Sequence, residues 1–176
     1  MNAPHPARTG ARFAEWLLIG GIVVLDQITK VLVVYGIGLH ESITLVPGLL
    51  DLTHVRNSGA AFGFLNAADF PGKPVVIAIV ALLALVGVGT YAMHLPASHR
   101  LARTGLMLII GGAAGNLVDR IRQGYVVDFV DAYWQGWHFW AFNVADSAIT
   151  IGVMIIILDL LRPNPAGLAA AEGGSE

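Results

Sequence analysis

The chain of 176 residues contains no cysteine, and only 12% of its residues are charged. The lack of cysteine excludes a disulfide framework, a thiolate nucleophile and a cysteine-ligated metal centre. The charged fraction is about half of that in a typical soluble protein. The formal net charge is -2 and the sequence has no basic stripe, so nucleic acid is not an expected partner.

Apolar residues are correspondingly abundant: they make up 56% of the chain, and the mean hydropathy is +0.69. The length is that of one domain, and this excess of apolar residues requires a lipid environment. Four apolar runs approach the roughly 20 residues that a helix needs to cross a bilayer. We therefore predict an all-α membrane protein with four transmembrane helices, at residues 13–35, 75–93, 101–118 and 145–161.

The remaining residues form tails at 1–12 and 162–176 and two polar segments at 36–74 and 119–144. The run at 13–35 is too long for the core of a secretory signal peptide, and no small-residue cleavage site follows it. Within 36–74, polar and apolar residues alternate from Leu50 to Asn57 after a turn at Pro47 and Gly48. This period of two predicts short strands.

Four spans place both termini on the same side of the membrane. The cations of the terminal side slightly outnumber those of the other side, which favours cytoplasmic termini. Both polar segments then lie on the outer face, and the aromatic residues at 133–140 form an interfacial belt there. The two groups of cations are Arg8, Arg12, Arg100, Arg103 and Arg162 against Arg56, Lys73, Arg120 and Arg122.

Ionisable residues cost free energy at the ends of membrane spans, and in this chain they cluster at the predicted outer face. Asn116, Asp119 and Arg120 have the spacing of one helical face. Asn143 is a candidate N-cap, which places Asp146 in the first turn of the fourth helix, where the helix dipole favours a carboxylate. Acids in first turns also occur for stability alone, so this pattern has a structural as well as a functional interpretation.

Asp26 and Lys30, four residues apart in the first span, lie on one helical face. They either neutralise each other, with Lys30 extending towards the membrane interface, or brace a site at that surface.

Asp128 and Asp146 lie at opposite ends of the second polar segment, and the flanking helices can bring them together. Two neighbouring carboxyls that share one proton supply both the base and the acid for hydrolysis of an amide. Arg120 would neutralise Asp119 or orient the backbone of a substrate. These residues predict an aspartic catalytic pair at a membrane surface.

Three other functions remain open from these residues. A proton-coupled carrier would use intramembrane acids, but such proteins tend to have internal repeats and a site near the midplane. A metal-dependent hydrolase would use Asp128, Asp146, His54 and His138, although no H-E-x-x-H motif is present. A membrane assembly factor would use the polar segments only to bind a partner.

In four blocks the sequence resembles lipoprotein signal peptidase, also called signal peptidase II. The resemblance covers almost the whole chain, and the blocks follow the order of that family. They are Asp26–Gln27–x–x–Lys30; Asn57–x–Gly59–Ala60–Ala61–Phe62; Gly115–Asn116–x–x–Asp119–Arg120 continuing through Gly124 and Val127 to Asp128–Phe129; and Phe142–Asn143–x–Ala145–Asp146.

The resemblance implies an aspartic endopeptidase of the bacterial cytoplasmic membrane that cuts prolipoproteins before a diacylglyceryl-modified cysteine. It implies four spans, cytoplasmic termini, a small β-rich cradle and loop on the outer face, and no metal or other cofactor. The expected partners are the prolipoprotein signal peptide and membrane lipid, and the enzyme is expected to be a monomer. A lid is expected at residues 66–74. The catalytic pair would be Asp128 and Asp146, lined by Asn57, Gly59, Asn116, Asp119, Arg120 and Asn143 and supported by Asp26 and Lys30.

Overall fold

Long apolar stretches of the sequence form helices, and the polar segment after the first helix forms part of a small sheet. The structure is a computed structural model that describes residues 6–59 and 70–162, with side chains from residue 12 onward. Its elements are α1 (Pro6–Gly36), β1 (Ser42–Val46), β2 (Leu50–Asn57), α2 (Lys73–His94), α3 (Arg100–Gln123), β3 (Val126–Trp134), β4 (Trp137–His138) and α4 (Val144–Leu160).

Three of these helices are long and apolar enough to cross a membrane: Arg12–Gly36, Lys73–His94 and Arg100–Gln123. Their large apolar side chains face outward, as Leu32 and Leu83 do, each 65% exposed. Exposed apolar surface on this scale suits contact with lipid. The first three predicted spans lie within these helices, but α1 begins at Pro6, so part of the predicted N-terminal tail is helical.

Helices α3 and α4 run antiparallel with their backbones in close contact. Gly105 faces Gly152, and a Cβ atom added at Gly105 would lie 2.7 Å from the Gly152 carbonyl oxygen. Further along, Gly112 packs against the backbone of Ala145. Small residues permit this approach of two helices within a membrane.

Arg103 joins three helices at the end of the bundle opposite the sheet. Its guanidinium forms a two-pronged salt bridge with Glu15 of α1, with both N–O distances 2.7 Å. It also donates hydrogen bonds to the carbonyl oxygens of Ala92 and Leu95, where α2 ends, at 3.2 Å and 2.8 Å. Paired, charge-assisted hydrogen bonds of this kind are among the stronger polar contacts in proteins.

The strands form one antiparallel sheet in the order β1-β2-β3-β4. Strands β1 and β2 confirm the predicted strands, whereas β3 and β4 lie in segment 119–144, where the sequence predicts no strand. There α3 continues to Gln123 and β3 follows, with Asp128 paired opposite Val55 of β2. Val127 and Phe129 of β3 pack on Val33, which anchors the sheet to the end of α1.

Gly105→Ala should destabilise the folded protein by about 1–3 kcal/mol, since the new methyl group would meet the backbone of α4. Besides the Gly152 oxygen, the Cβ position lies 2.8 Å from Cγ1 of Ile156. Thermal unfolding of the full-length protein in detergent measures this loss.

Gly87→Ala is the matched control, because a Cβ atom at Gly87 would have nothing within 4 Å. Its stability should be unchanged or higher by up to about 1 kcal/mol, because alanine forms helix more readily than glycine. Equal melting temperatures for the two variants would contradict close packing of α3 on α4.

Candidate active site

Asn143 begins helix α4 and is fully buried. Its side-chain oxygen accepts a hydrogen bond from the Asp146 backbone N–H at 2.9 Å. In return, Oδ2 of Asp146 accepts from the Asn143 N–H at 3.2 Å. This reciprocal capping box confirms the predicted N-cap and the placement of Asp146 in the first turn.

The side-chain nitrogen of Asn143, Nδ2, brings Asp128 into the same cluster. It donates to Oδ1 of Asp128 at 2.7 Å and also lies 3.3 Å from the Val127 carbonyl oxygen and 3.2 Å from Oδ1 of Asn116. One residue thus contacts both carboxyls, through its side chain on Asp128 and its backbone on Asp146. The two aspartates come together from strand β3 and helix α4.

A second asparagine donates to each carboxyl. Nδ2 of Asn57, at the end of β2, lies 3.0 Å from Oδ2 of Asp128. Nδ2 of Asn116, on α3, lies 2.8 Å from Oδ1 of Asp146. Each carboxyl is therefore held by N–H donors on both of its oxygens, which fixes its orientation.

A buried ammonium group lies behind these asparagines. Nζ of Lys30 lies 2.8 Å from both Asp26 and Asp119 and donates to Oδ1 of Asn116 at 3.0 Å. Lys30 is only 3% exposed, so the interpretation in which it extends to the membrane interface is wrong. The alternative, that the pair braces a site, agrees with this geometry.

Asp26 also reaches the start of α4. Its Oδ1 accepts from the Ala145 N–H at 3.0 Å, a favourable position for a carboxylate at a helix N-terminus. Gln27 adds a contact that the site prediction omitted, since its amide nitrogen donates to Asp119 at 3.0 Å and to Asp26 at 3.2 Å. Gln27 belongs to the first motif block, and this position was its only signal in the sequence.

Arg120 does not form a salt bridge with Asp119, which was one of its two expected roles. Asp119 forms its salt bridge with Lys30 and also accepts from the Val127 N–H at 3.4 Å. The Arg120 guanidinium instead donates to the carbonyl oxygens of Gly59 and Asn116, at 3.3 Å and 3.2 Å. This leaves a cation beside the aspartate pair and agrees with the alternative role of orienting a substrate.

Burial and the charge of Asp146 raise the pKa of Asp128 from 3.8 to about 7. Hydrogen bonds from Asn57 and Asn143 and the charge of Lys30 oppose this rise in pKa without cancelling it. A carboxyl with a pKa near 7 beside a second carboxyl forms a pair that keeps a proton up to about neutral pH, and this proton belongs to the pair.

The two histidines of the metal-dependent alternative lie in other contacts. Nδ1 of His54 hydrogen-bonds the Ile37 carbonyl oxygen at 2.9 Å, and Nδ1 of His138 lies 2.9 Å from Asp131. Among residues 6–59 and 70–162 no group of three or more histidines and acids could hold a metal ion. The geometry of these residues does not support a metal centre.

Two of the predicted features fall partly outside the described residues. These are positions 60–62 of the second motif block and positions 66–69 of the expected lid. The rest of the expected lid is a short turn at Phe70–Gly72 followed by the first residues of α2.

Comparison with known proteins identifies the family. The sequence model of the family described as Signal peptidase (SPase) II matches residues 18–162. The chain is 48% identical over 140 residues to the lipoprotein signal peptidase of Geobacter metallireducens, which covers 80% of this chain and 85% of that protein. It is 45% identical over 142 residues to the lipoprotein signal peptidase of Geobacter sulfurreducens, covering 81% and 88% of the two chains.

Solved structures of bacterial membrane enzymes share the fold. One has a TM-score of 0.75 and 33% sequence identity, covering 84% of this chain and 87% of its own. Another has a TM-score of 0.77 and 30% identity, covering 86% and 94%. The chain therefore belongs to the signal peptidase II family.

Proposed function

We propose that Asp128 and Asp146 are the catalytic pair with which this membrane peptidase removes signal peptides from bacterial prolipoproteins. As a member of the signal peptidase II family, the protein is an aspartic peptidase of prolipoprotein processing. The observation that carries the assignment of residues is the contact of Asn143 with both carboxyls, at 2.7 Å and 3.2 Å. The raised pKa of Asp128 supports it.

In the proposed reaction the pair begins with one proton. The ionised carboxyl removes a proton from a water molecule, whose oxygen attacks the scissile carbonyl carbon, while the protonated carboxyl donates to the carbonyl oxygen. When the resulting gem-diol intermediate collapses, the C–N bond breaks, the leaving nitrogen takes a proton from one carboxyl, and a hydroxyl of the intermediate returns its proton to the other. The pair then again holds one proton.

The surrounding residues orient this reaction. Asn57, Asn116 and Asn143 fix the carboxyls through N–H donors. Lys30, which is paired with Asp26 and Asp119, supports Asn116 from behind. Arg120 has its charge beside the pair and can bind a carbonyl oxygen of the substrate backbone. Gly59, with no side chain, allows a substrate strand to approach closely. In a partly dry site each of these electrostatic contacts is stronger than in water.

Position in the bilayer explains how the substrate reaches the pair. The carboxyls lie where α3 ends and α4 begins, next to the sheet, so a cut there is made at a membrane surface. The substrate class has a membrane-embedded signal helix and a diacylglyceryl-modified cysteine beside the scissile bond. Both parts can be presented from the lipid without leaving it.

Helix α4 is the fourth span in this proposal. It has 17 residues, or about 25 Å of helix, slightly less than the hydrocarbon thickness of a bilayer. It nevertheless lies alongside α3 over its whole length. At one end Ala145 faces Gly112, and at the other Asp159 lines a surface cavity together with Arg100, where α3 begins. A helix that matches a spanning neighbour over this length crosses the same layer.

The topology that follows has both termini in the cytoplasm and the active site at the outer face. Residues 1–12 and 162–176 are then cytoplasmic, and the membrane domain is 13–161 with outer segments 36–74 and 119–144. The exposed Trp134, Trp137 and Trp140 lie beside the sheet, where an interfacial aromatic belt would form. We further propose that the enzyme is a monomer and requires no metal or other cofactor.

Asp128→Asn and Asp146→Asn should each reduce cleavage roughly 10³-fold or more, because an amide cannot exchange the catalytic proton. The measurement is cleavage of a diacylglyceryl-modified prolipoprotein by the purified full-length protein, with a chelator present throughout. Activity of the unmodified protein in chelator also separates this mechanism from the metal-dependent alternative.

Asp131→Asn is the matched control. Asp131 lies on the same strand as Asp128, but its carboxylate pairs with His138 at the surface. This variant should cleave at the normal rate. If Asp128→Asn and Asp131→Asn are equally active, the assignment of the pair is wrong.

Cleavage should decline as the pH rises through about 7, the pKa of Asp128, where the pair loses its proton. The sign follows from the raised pKa: above that pH both carboxyls are ionised, and no acid remains to protonate the carbonyl oxygen or the leaving nitrogen. Rates measured from about pH 5 to about pH 9 test this, with melting temperature recorded at each pH. A rate that is flat or rising across pH 7 would contradict the one-proton pair.

Single cysteines introduced into this cysteine-free chain test the topology without background labelling. Thr44→Cys on β1 should react with a membrane-impermeant maleimide in intact spheroplasts. Ser98→Cys before α3 and Leu161→Cys after α4 should react only after the membrane is opened; all three positions are exposed. Labelling of Leu161→Cys together with Thr44→Cys would show that α4 does not cross.

A further inference from the structure

We propose that Lys73, on the first turn of α2, is a positioning residue that acts through Ser58 and Asn57 on the carboxyl of Asp128. The proposal rests on the proposed function, because it assigns Lys73 a part in the same reaction. Lys73 lies in none of the four motif blocks.

The side chain of Lys73 enters the protein interior. It is 7% exposed, and its Nζ lies 3.2 Å from the Ser58 hydroxyl oxygen, fifteen positions earlier in the chain. Burial of an ammonium group is costly unless its hydrogen bonds are made. The position of the Lys73 ammonium group is therefore fixed by its contacts, unlike that of a lysine in solvent.

Stability of α2 does not explain this residue. A cation in the first turn of a helix is unfavourable in the field of the helix dipole. The helix already has Pro74 near its start, and Gly72 precedes it in the left-handed conformation with φ 80°. A lysine at position 73 therefore does not stabilise helix α2 itself. Its contact with Ser58 is a role that the helix does not supply.

Ser58 lies between Asn57 and Gly59, the residue whose N–H orients the Asn57 amide. The Gly59 N–H donates to Oδ1 of Asn57 at 3.0 Å, and the Gly59 carbonyl oxygen accepts from Arg120 at 3.3 Å. With its oxygen occupied, Asn57 presents its NH₂ group to Oδ2 of Asp128 at 3.0 Å. Lys73 and Arg120 thus hold the 57–59 segment from α2 and α3, and this segment sets the direction of the Asn57 donor.

The consequence is a specific effect on protonation of Asp128. The Asn57 hydrogen bond stabilises the ionised form and so lowers the pKa of Asp128. The charged groups that face Asp128 are Asp146 from α4, Lys30 from α1 and Arg120 from α3. These remain when Lys73 is changed, so a looser Asn57 should raise the pKa of Asp128 further.

The test compares Lys73→Met, Asn57→Ala and the double variant in full-length protein with a diacylglyceryl-modified prolipoprotein as substrate. Lys73→Met should lower kcat by roughly 3- to 10-fold, the range expected when one hydrogen bond is weakened. KM should change by less than about twofold, and the alkaline limb of the rate profile should move to higher pH. In the Asn57→Ala background, Lys73→Met should cause no further loss.

Two further variants separate positioning from folding. Lys73→Arg can still donate to Ser58 and should restore most of the rate and the normal pH limb. Ser58→Ala, a smaller change, should shift the pH limb in the same direction even if Lys73→Met folds poorly. Arg122→Gln removes an exposed cation at the end of α3 and should behave as the unmodified protein.

The proposal is overturned if Lys73→Met and Ser58→Ala both melt normally and leave the pH limb in place. It is also overturned if Lys73→Met costs as much in the Asn57→Ala background as alone. Failure of the unmodified protein to cut the prolipoprotein is a different result, because it would refute the proposed function itself.

Discussion

The shared ammonium group of Lys30 is the contact on which the rest of the site depends. It joins Asp26 of α1 to Asp119 of α3, with both N–O distances 2.8 Å, and Asp26 in turn accepts from the N-terminal turn of α4. Removal of one partner of a buried ion pair typically costs about 3–5 kcal/mol, since it leaves a charge without compensation. Two carboxylates and one ammonium leave an excess of negative charge, which the N-terminal dipole of α4 and the nearby Arg120 partly offset.

The three asparagines of the site share one arrangement, and through Asn116 it links Lys30 to the carboxyl of Asp146. In each, the side-chain oxygen accepts from a hydrogen-bond donor, and the NH₂ group on the other side of the amide donates to an aspartate. The hydrogen bond that holds the oxygen of each asparagine thereby also fixes the orientation of the carboxyl to which that asparagine donates. Asn57 accepts from the Gly59 N–H and donates to Asp128. Asn116 accepts from the Lys30 ammonium and donates to Asp146. Asn143 accepts from the Asp146 N–H and donates to Asp128.

Features that depend on nearby residues could be predicted from the sequence, and features that depend on distant partners could not. Hydropathy located the helices, and the spacing of Asn143 and Asp146 predicted the N-cap and the place of Asp146 in the first turn, because both signals are local. The strand that carries Asp128 was missed because Val126, Val127, Asp128 and Phe129 are all buried, which removes the alternation of an exposed strand. The position of Lys30 was left open for a similar reason, since its second partner Asp119 lies on another helix.

The two aspartates differ in what holds them, and this difference has a chemical consequence. The asparagine donors of Asp146 come from α3 and from the cap of its own helix. Those of Asp128 come from β2 and from α4, which belong to the sheet and the helical bundle respectively. A small displacement of the sheet relative to the bundle therefore changes the donors of Asp128 more than those of Asp146. Because hydrogen bonds to a carboxylate lower its pKa, the proton affinity of the pair depends on the fit between sheet and bundle.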